Sequence, residues 1–240
     1  MKTCKGPLLA ILLLCVHVIG CEKAQQIVGT AVEPPAEVVL MPDANLAAAV
    51  RETFGLTVDA PITTEALQNL KILRLTDKDR RPIKDFTGLE YAVNLTELVM
   101  LGIHPLSDVS PLANLTNLTK LKLANLPVSD VSALANLMNL TELEIAASDI
   151  SDISAFANLT NLAELRLWGT EVSDVSVLAN LTNLTELRLE SSQISDIAPL
   201  VANTGLGSGD IVDLRDNPLD EAATNTHIPA LQARGVTVEW

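Results

Sequence analysis

The chain repeats itself with a fixed period. The stretch "NLTNLTELRLESSQISDI" (residues 180–197) is preceded by "NLTNLAELRLWGTEVSDV", "NLMNLTELEIAASDISDI" and "NLTNLTKLKLANLPVSDV". Aligned on the first Leu of each L-x-x-L-x-L, the copies begin at Leu70, Leu95, Leu118, Leu140, Leu162, Leu184 and Leu206, spaced 25, 23, 22, 22, 22 and 22 residues apart. In the copy beginning at Leu184, Leu187 and Leu189 alternate with Glu186, Arg188 and Glu190, which is the pattern of a strand with one apolar face. Ile194, Ile197 and Leu200 then turn inward on the return path. A unit this short cannot bury its own aliphatic side chains, so successive units must stack and share a core.

A period near 22 with apolar residues in the same columns is the signature of a leucine-rich repeat solenoid. The expected fold is an α/β solenoid, a right-handed superhelix whose strands form a parallel sheet on the concave side. Leu143, Leu165 and Leu187 are expected to be buried between coils. Composition agrees: 48% of residues are apolar and only 2% aromatic, so the core is aliphatic. The repeated "ISDI…NL" pattern resembles the short repeats of bacterial internalins. The resemblance extends to capping segments, a helical N-terminal cap in "MPDANLAAAVRE" through "PITTEALQNL" and a helix-plus-strand C-terminal cap in "VDLRDNPLDEAATNTHIPALQARGVTVEW". Asp43 is the expected N-cap of the first helix. Leu46, Val50 and Phe54 share one face of it and Gly55 stops it. A shorter helix is expected over 64–70, and at the other end a helix around 228–234 followed by an edge strand over 236–240. The column that internalin repeats usually fill with Asn holds Leu126, Ser148, Thr170 and Ser192 here. Leu126 has no side-chain hydrogen bond to offer, so an irregular coil is expected around 124–128.

The first twenty residues are read separately. Lys2 and Lys5 precede a short apolar run, a pattern suited to an export signal and too short to span a bilayer comfortably. It ends in "VIGC" (residues 18–21), which resembles the bacterial lipobox. That resemblance implies cleavage before Cys21 and lipidation of its thiol, with Glu22 directing the product to the outer membrane of a Gram-negative cell. An ordinary secretory signal followed by an incidental Cys is the alternative. The expected organisation is a lipoprotein leader over 1–20, a tether over 21–41 containing Pro34 and Pro35, a helical cap over 42–69, repeats over 70–217 and a C-terminal cap over 218–240.

Several functions are disfavoured. The net charge of −14 repels a phosphate backbone, so nucleic acid is not an expected partner. Cys4, Cys15 and Cys21 are the only cysteines, so the repeats carry no disulfide and no thiolate chemistry. After the leader, His104 and His227 are the only histidines and belong to opposite ends of the solenoid. No nucleophile elbow, zincin motif or phosphate loop is present. No catalytic residue, cofactor or metal site is expected, and the chain is read as a non-enzyme. Asp85, Asp108, Asp130, Asp152, Asp174 and Asp196 form a column. A calcium ladder would require glycine-rich loops that are missing, so these acids are expected to cap turns. The recurring "NLT" at Asn94, Asn114, Asn117, Asn139, Asn158, Asn180 and Asn183 is expected to serve the turn geometry rather than glycosylation.

The outward strand positions carry the variation. The third position holds Glu97, Lys120, Glu142, Glu164 and Glu186. The fifth holds Val99, Lys122, Glu144, Arg166 and Arg188, and the seventh holds Leu101, Ala124, Ala146, Trp168 and Glu190. Facing charges such as Lys120 with Glu142 and Glu144 with Arg166 can pair across strands. Val99 and Leu101 are expected to add exposed apolar area. Trp168 is expected to point outward with its face left open beside Ala146 and Ala124, or else to lie flat over the sheet. The expected function is protein binding through Val99, Leu101, Lys120, Lys122, Glu142, Glu144, Glu164, Arg166, Trp168, Glu186, Arg188 and Glu190, as in adhesion or surface recognition. The alternatives are a glycan or peptidoglycan stacked on Trp168, and a passive envelope spacer. A membrane is expected to be met only through the lipid anchor.

Overall fold

Each repeat supplies one strand, and the strands pair in chain order. In the computed structural model, which describes residues 36–76 and 82–240, the strands are β1 (Ile72–Thr76), β2 (Glu97–Leu101), β3 (Lys120–Ala124), β4 (Glu142–Ala146), β5 (Glu164–Arg166), β6 (Glu186–Arg188), β7 (Ile211–Asp213) and β8 (Thr237–Glu239). They form one eight-stranded sheet, and every neighbouring pair is parallel. The register is one repeat per strand: Leu98, Leu121, Leu143, Leu165, Leu187 and Val212 stand side by side, all fully buried. Each such side chain contributes about 1.5–3 kcal/mol on burial. The leader, Cys21 and most of the tether lie outside the described residues.

The return path is a short turn of helix in each coil. Its 3-10 segments, Ser110–Leu112, Ser132–Asn136, Ser154–Asn158 and Ser176–Asn180, give way to a short α-helix at Ala198–Ala202. An Asp stands two residues before each. Asp108, Asp130, Asp152, Asp174 and Asp196 accept from the backbone N–H two residues on, at 2.7–2.8 Å. The column of acids therefore serves as turn caps.

Asparagine and threonine fasten one coil to the next. The amides of Asn94, Asn117, Asn139, Asn161 and Asn183 donate to backbone carbonyls of the preceding coil. The hydroxyls of Thr96, Thr119, Thr141 and Thr185 do the same. In the last coil this asparagine column holds Gly205, and a Cβ there would lie 1.9 Å from the Thr182 carbonyl oxygen.

Beyond β2 to β7 the backbone enters the left-handed region in each coil. Gly102, Asn125, Ala147, Gly169, Ser191 and Asp216 all have positive φ and continue the strand register as one column. The next column points inward and holds the polar series seen in the sequence. Thr170 Oγ1 donates to the Leu167 carbonyl and lies 3.0 Å from Ser192 Oγ. Asn217 ends the series, donating to Leu189 and Leu214 carbonyls and accepting from Ile194 N–H. Leu126 is buried, and Val128 N–H bonds back to the Leu126 carbonyl at 2.8 Å; Leu219 N–H bonds to the Asn217 carbonyl in the same way at 2.9 Å, so this turn is not peculiar to the apolar residue expected to disturb the coil. At the first end of the column stands His104. The coil after β2 is one residue longer, Ile103 is 86% exposed, and His104 takes the inward place. Its Nδ1 accepts from Ile83 N–H at 3.1 Å, as Asn217 accepts from Ile194.

Both ends are covered. At the N-terminus α1 (Ala44–Phe54) is capped by Asp43 and stopped by Gly55 at φ +65°, and buries Leu46 and Val50; α2 (Thr64–Gln68) follows. The second Asp43 carboxylate oxygen accepts from Lys84 N–H, tying the cap to the first return segment. At the C-terminus α3 denotes Ala198–Ala202, and a π-helical turn (Ala223–His227) leads into α4 (Ile228–Ala233). Arg234, just beyond α4, donates to the carbonyls of Val201, Asn203 and Leu206, closing the last coil. Asn203 is fully buried where earlier coils have Leu, and its amide satisfies the Leu178 and Leu181 carbonyls.

Candidate functional site

Because strand side chains alternate, every inward Leu on a strand leaves its neighbours on the open face of the sheet. The register aligns them in rows. The first row runs Ile72, Glu97, Lys120, Glu142, Glu164, Glu186, Ile211, and the second runs Arg74, Val99, Lys122, Glu144, Arg166, Arg188, Asp213. The third begins Thr76, Leu101, Ala124, Ala146 and continues past the ends of the shorter strands through Trp168 and Glu190. The strand-like ladder persists there, with Ala147 N–H bonded to the Trp168 carbonyl and Gly169 N–H to the Glu190 carbonyl, both at 2.9 Å. All the expected face residues are therefore brought to one side of one sheet.

The charges form a connected array. Glu142 is its hub, bonded to Lys120 at 2.6 Å, to Lys122, and to Arg166 at 3.1 Å. Arg166 also reaches Glu164 and Glu186, each at 2.9 Å, and Glu186 holds Arg188 at 2.6 Å. The expected Lys120–Glu142 pair is present. Glu144, however, is bridged by Lys122 at 3.1 Å on its other flank, and Arg166 turns to the first row. Arg74 pairs with Glu97 at 2.8 Å, and Arg215 with Asp213 at 2.5 Å.

These bonds bias ionisation. Burial opposes the Glu142 charge, but Lys120 and Lys122 hold its carboxyl below the ordinary range. The Arg188 hydrogen bond lowers Glu186, and the Arg74 hydrogen bond lowers Glu97. Glu190 goes the other way: burial pushes it up, with the Asp213 charge adding to the shift.

Two apolar expectations change. Val99 is only 7% exposed, a short side chain standing between Arg74 and Lys122 in its row, so it adds little open apolar surface. Trp168 does not stand clear of the sheet. It is half-buried, and Ala146 beside it in the row is fully buried although it belongs to the outward series. A flat indole over its small neighbour fits both observations, because a large ring at the surface lowers its exposed area by covering adjacent backbone and methyl groups. Leu101 (36%) and Ile72 (45%) remain exposed at the N-terminal side of the face.

Away from the sheet, a shallow cleft of about 270 Å³ lies on the return side between Asp152 and Asp174, lined by Ser151, Ser154, Ser176 and Asn180. Among the described residues no group of His, Cys, Asp and Glu is arranged to hold a metal ion, and no helix is long and apolar enough to cross a membrane. Sequence reasoning passed over His104 as a structural residue. The signal was the 23-residue spacing from Leu95 to Leu118, one longer than the period.

Known proteins share this arrangement. Residues 160–202 match the family described as Leucine Rich repeats (2 copies). The chain is similar to an internalin (inlF) from Listeria monocytogenes, with 32% identity and a TM-score of 0.74 over 83% of this chain and 56% of that one. It is similar also to internalin C2 (inlC2) from the same organism, with 29% identity and a TM-score of 0.60 over 86% of this chain and 99% of that one. A leucine-rich repeat protein of Leptospira interrogans shares the fold at 19% identity, with a TM-score of 0.61 over 75% of this chain and 51% of that one. The chain thus spans about half the length of the inlF and Leptospira structures and nearly all of inlC2. No curated protein matches the sequence at a significant level. The fold is that of a leucine-rich repeat solenoid, internalin-like in sequence as well as in structure.

Proposed function

We propose that this internalin-like solenoid is a non-catalytic protein-binding module that recognises its partner through the open face of the parallel sheet. One observation carries the reading. Between residues 85 and 217 the chain has five basic residues, Lys120, Lys122, Arg166, Arg188 and Arg215, and every one of them is ion-paired on that face. Within residues 85–217 the rest of the surface is acidic or neutral, so over that span this face alone presents both signs of charge, held in fixed positions, beside an indole. Preset charge patterns of this kind favour specific protein partners and suppress others. The similarity to internalins supports adhesion or surface recognition as the setting.

The lipobox-like "VIGC" supports a place for the module on the bacterial envelope, with Cys21 as the lipid attachment site. Cys21→Ala should abolish lipid labelling and release the protein from the membrane fraction. Unchanged labelling would sink the anchor.

The binding face is tested by screening the processed protein against surface-protein fractions and measuring the affinity of the partner obtained. Trp168→Ala should weaken binding by about 2 kcal/mol, roughly thirtyfold, while the thermal melt stays within a few degrees of the parent. An Arg188→Glu exchange should slow association. Full affinity in both variants would move the site off the sheet. Capture of a glycan whose binding needs Trp168 alone would replace the protein reading.

A further inference from the structure

Glu190 stands apart among the acids of the sheet face. Glu97, Glu142, Glu144, Glu164, Glu186, Asp213 and Glu239 each have a basic partner. Glu190 has none among the described residues, and its Oε2 is buried without a hydrogen-bond partner. The charges of Arg188 and Arg215 are felt at Glu190 but do not outweigh its burial, and both side chains are bonded elsewhere. Arg188, two residues before Glu190, is held by Glu186 at 2.6 Å, and Arg215, next in the row, by Asp213 at 2.5 Å and Glu239 at 3.4 Å. On the other side stands Trp168, whose carbonyl and that of Glu190 occupy successive rungs of one ladder.

A half-buried carboxylate with one oxygen shut off from water and no bonded counter-charge carries a desolvation cost that an arriving cation offsets. An indole in the neighbouring coil adds attraction, since the face of a Trp ring draws ammonium and guanidinium groups. We propose that Glu190 and Trp168 together form the receptor point for a lysine or arginine side chain of the protein partner. The assignment rests on the sheet face being the binding face and names the chemistry it selects. Burial holds the Glu190 carboxyl above its ordinary range while the point is empty, and a bound cation would bring it down. The acidic surroundings favour the same occupant, since the chain carries a net charge of −14.

The test uses the full chain carrying Trp240→Phe, so that Trp168 is the only indole. Trp240 is 56% exposed, and its replacement leaves the core intact. Indole fluorescence is followed at low ionic strength while acetyl-Gly-Lys-Lys-Gly-amide is added. The leucine counterpart of that peptide and an N-acetylglucosamine trisaccharide are titrated alongside. The lysine peptide should give a saturable change that the leucine peptide does not, and Glu190→Gln should weaken it about tenfold or more. No response to the lysine peptide, or an equal response in Glu190→Gln, would overturn the receptor. So would a response to the sugar that is indifferent to Glu190, which would assign Trp168 to stacking. The broader reading is judged separately: a protein partner that depends on Trp168 but not on Glu190 leaves the binding face standing and removes only the cation receptor.

Discussion

Ala147 occupies the left-handed backbone region at φ +47°, in the column that Gly169 fills one coil later at φ +66°. A Cβ costs about 1–2 kcal/mol in that region, and Gly escapes the cost. Ala147→Gly should therefore raise stability by up to about 1 kcal/mol in urea melts, and Gly169→Ala should lower it by about 1 kcal/mol. A Cβ at Gly169 would meet Ala147 at ordinary contact distance, so the backbone alone sets that loss. Glu190 makes a second argument at this scale. Its folded pKa is raised, so its ionised form disfavours the fold, and protonation as pH falls through that value restores stability. Glu190→Gln mimics the protonated form and should raise the neutral-pH melting temperature by up to about 2 °C. A fall would mean that the carboxylate has a stabilising partner.

Coils are the elements, and they hold one another through Leu columns and carbonyl-seeking side chains. Leu165 is fully buried between Leu143 and Leu187, so Leu165→Ala should cost about 2–5 kcal/mol in denaturant melts. A cost below about 1 kcal/mol would be that of a surface leucine and would contradict the stacking. The C-terminal cap depends on Arg234, which serves three carbonyls of the last coil. Arg234→Ala leaves those groups without that donor and should cost about 1–3 kcal/mol. Hydrogen exchange should show the loss beginning at β7 and β8, because in a solenoid each coil rests on its neighbours and an end opens first.

At the scale of the whole molecule the ion-paired acids set the response to pH. Glu97, Glu142, Glu186 and Asp213 have folded pKa values below their ordinary ones. A depressed carboxyl contributes stability that is present above its unfolded pKa and is lost as pH falls through its folded pKa. The unfolding free energy should therefore hold from neutral pH down to about 4.5 and decline below about 4, the unfolded carboxylate range. Melts at stepped pH check this, and stability that rises steadily on acidification below pH 4 would contradict the pairing. Added salt should weaken the exposed Arg74–Glu97 pair more than the half-buried array around Glu142.

The amino-acid sequence by itself determined the solenoid, its register and its buried columns. Leu143, Leu165, Leu187 and the turn-capping Asp column repeat because each coil must meet the same neighbours in the same way, and a constraint imposed at every period is visible in the letters. The first helix was legible too, since Asp43 and Gly55 act through local backbone geometry. Only the tertiary structure decided what happens on the open face. Outward side chains carry no periodic constraint, and long charged ones choose partners by reach and desolvation across several strands. Arg166 therefore turns to Glu142 and Glu186, Val99 is buried between long neighbours, Trp168 is half-buried beside a fully buried Ala146, and Glu190 is left without a bonded cation. His104 belongs to the same class, because a single extra residue in its coil moved it into a column that the period alone assigns to Ile103.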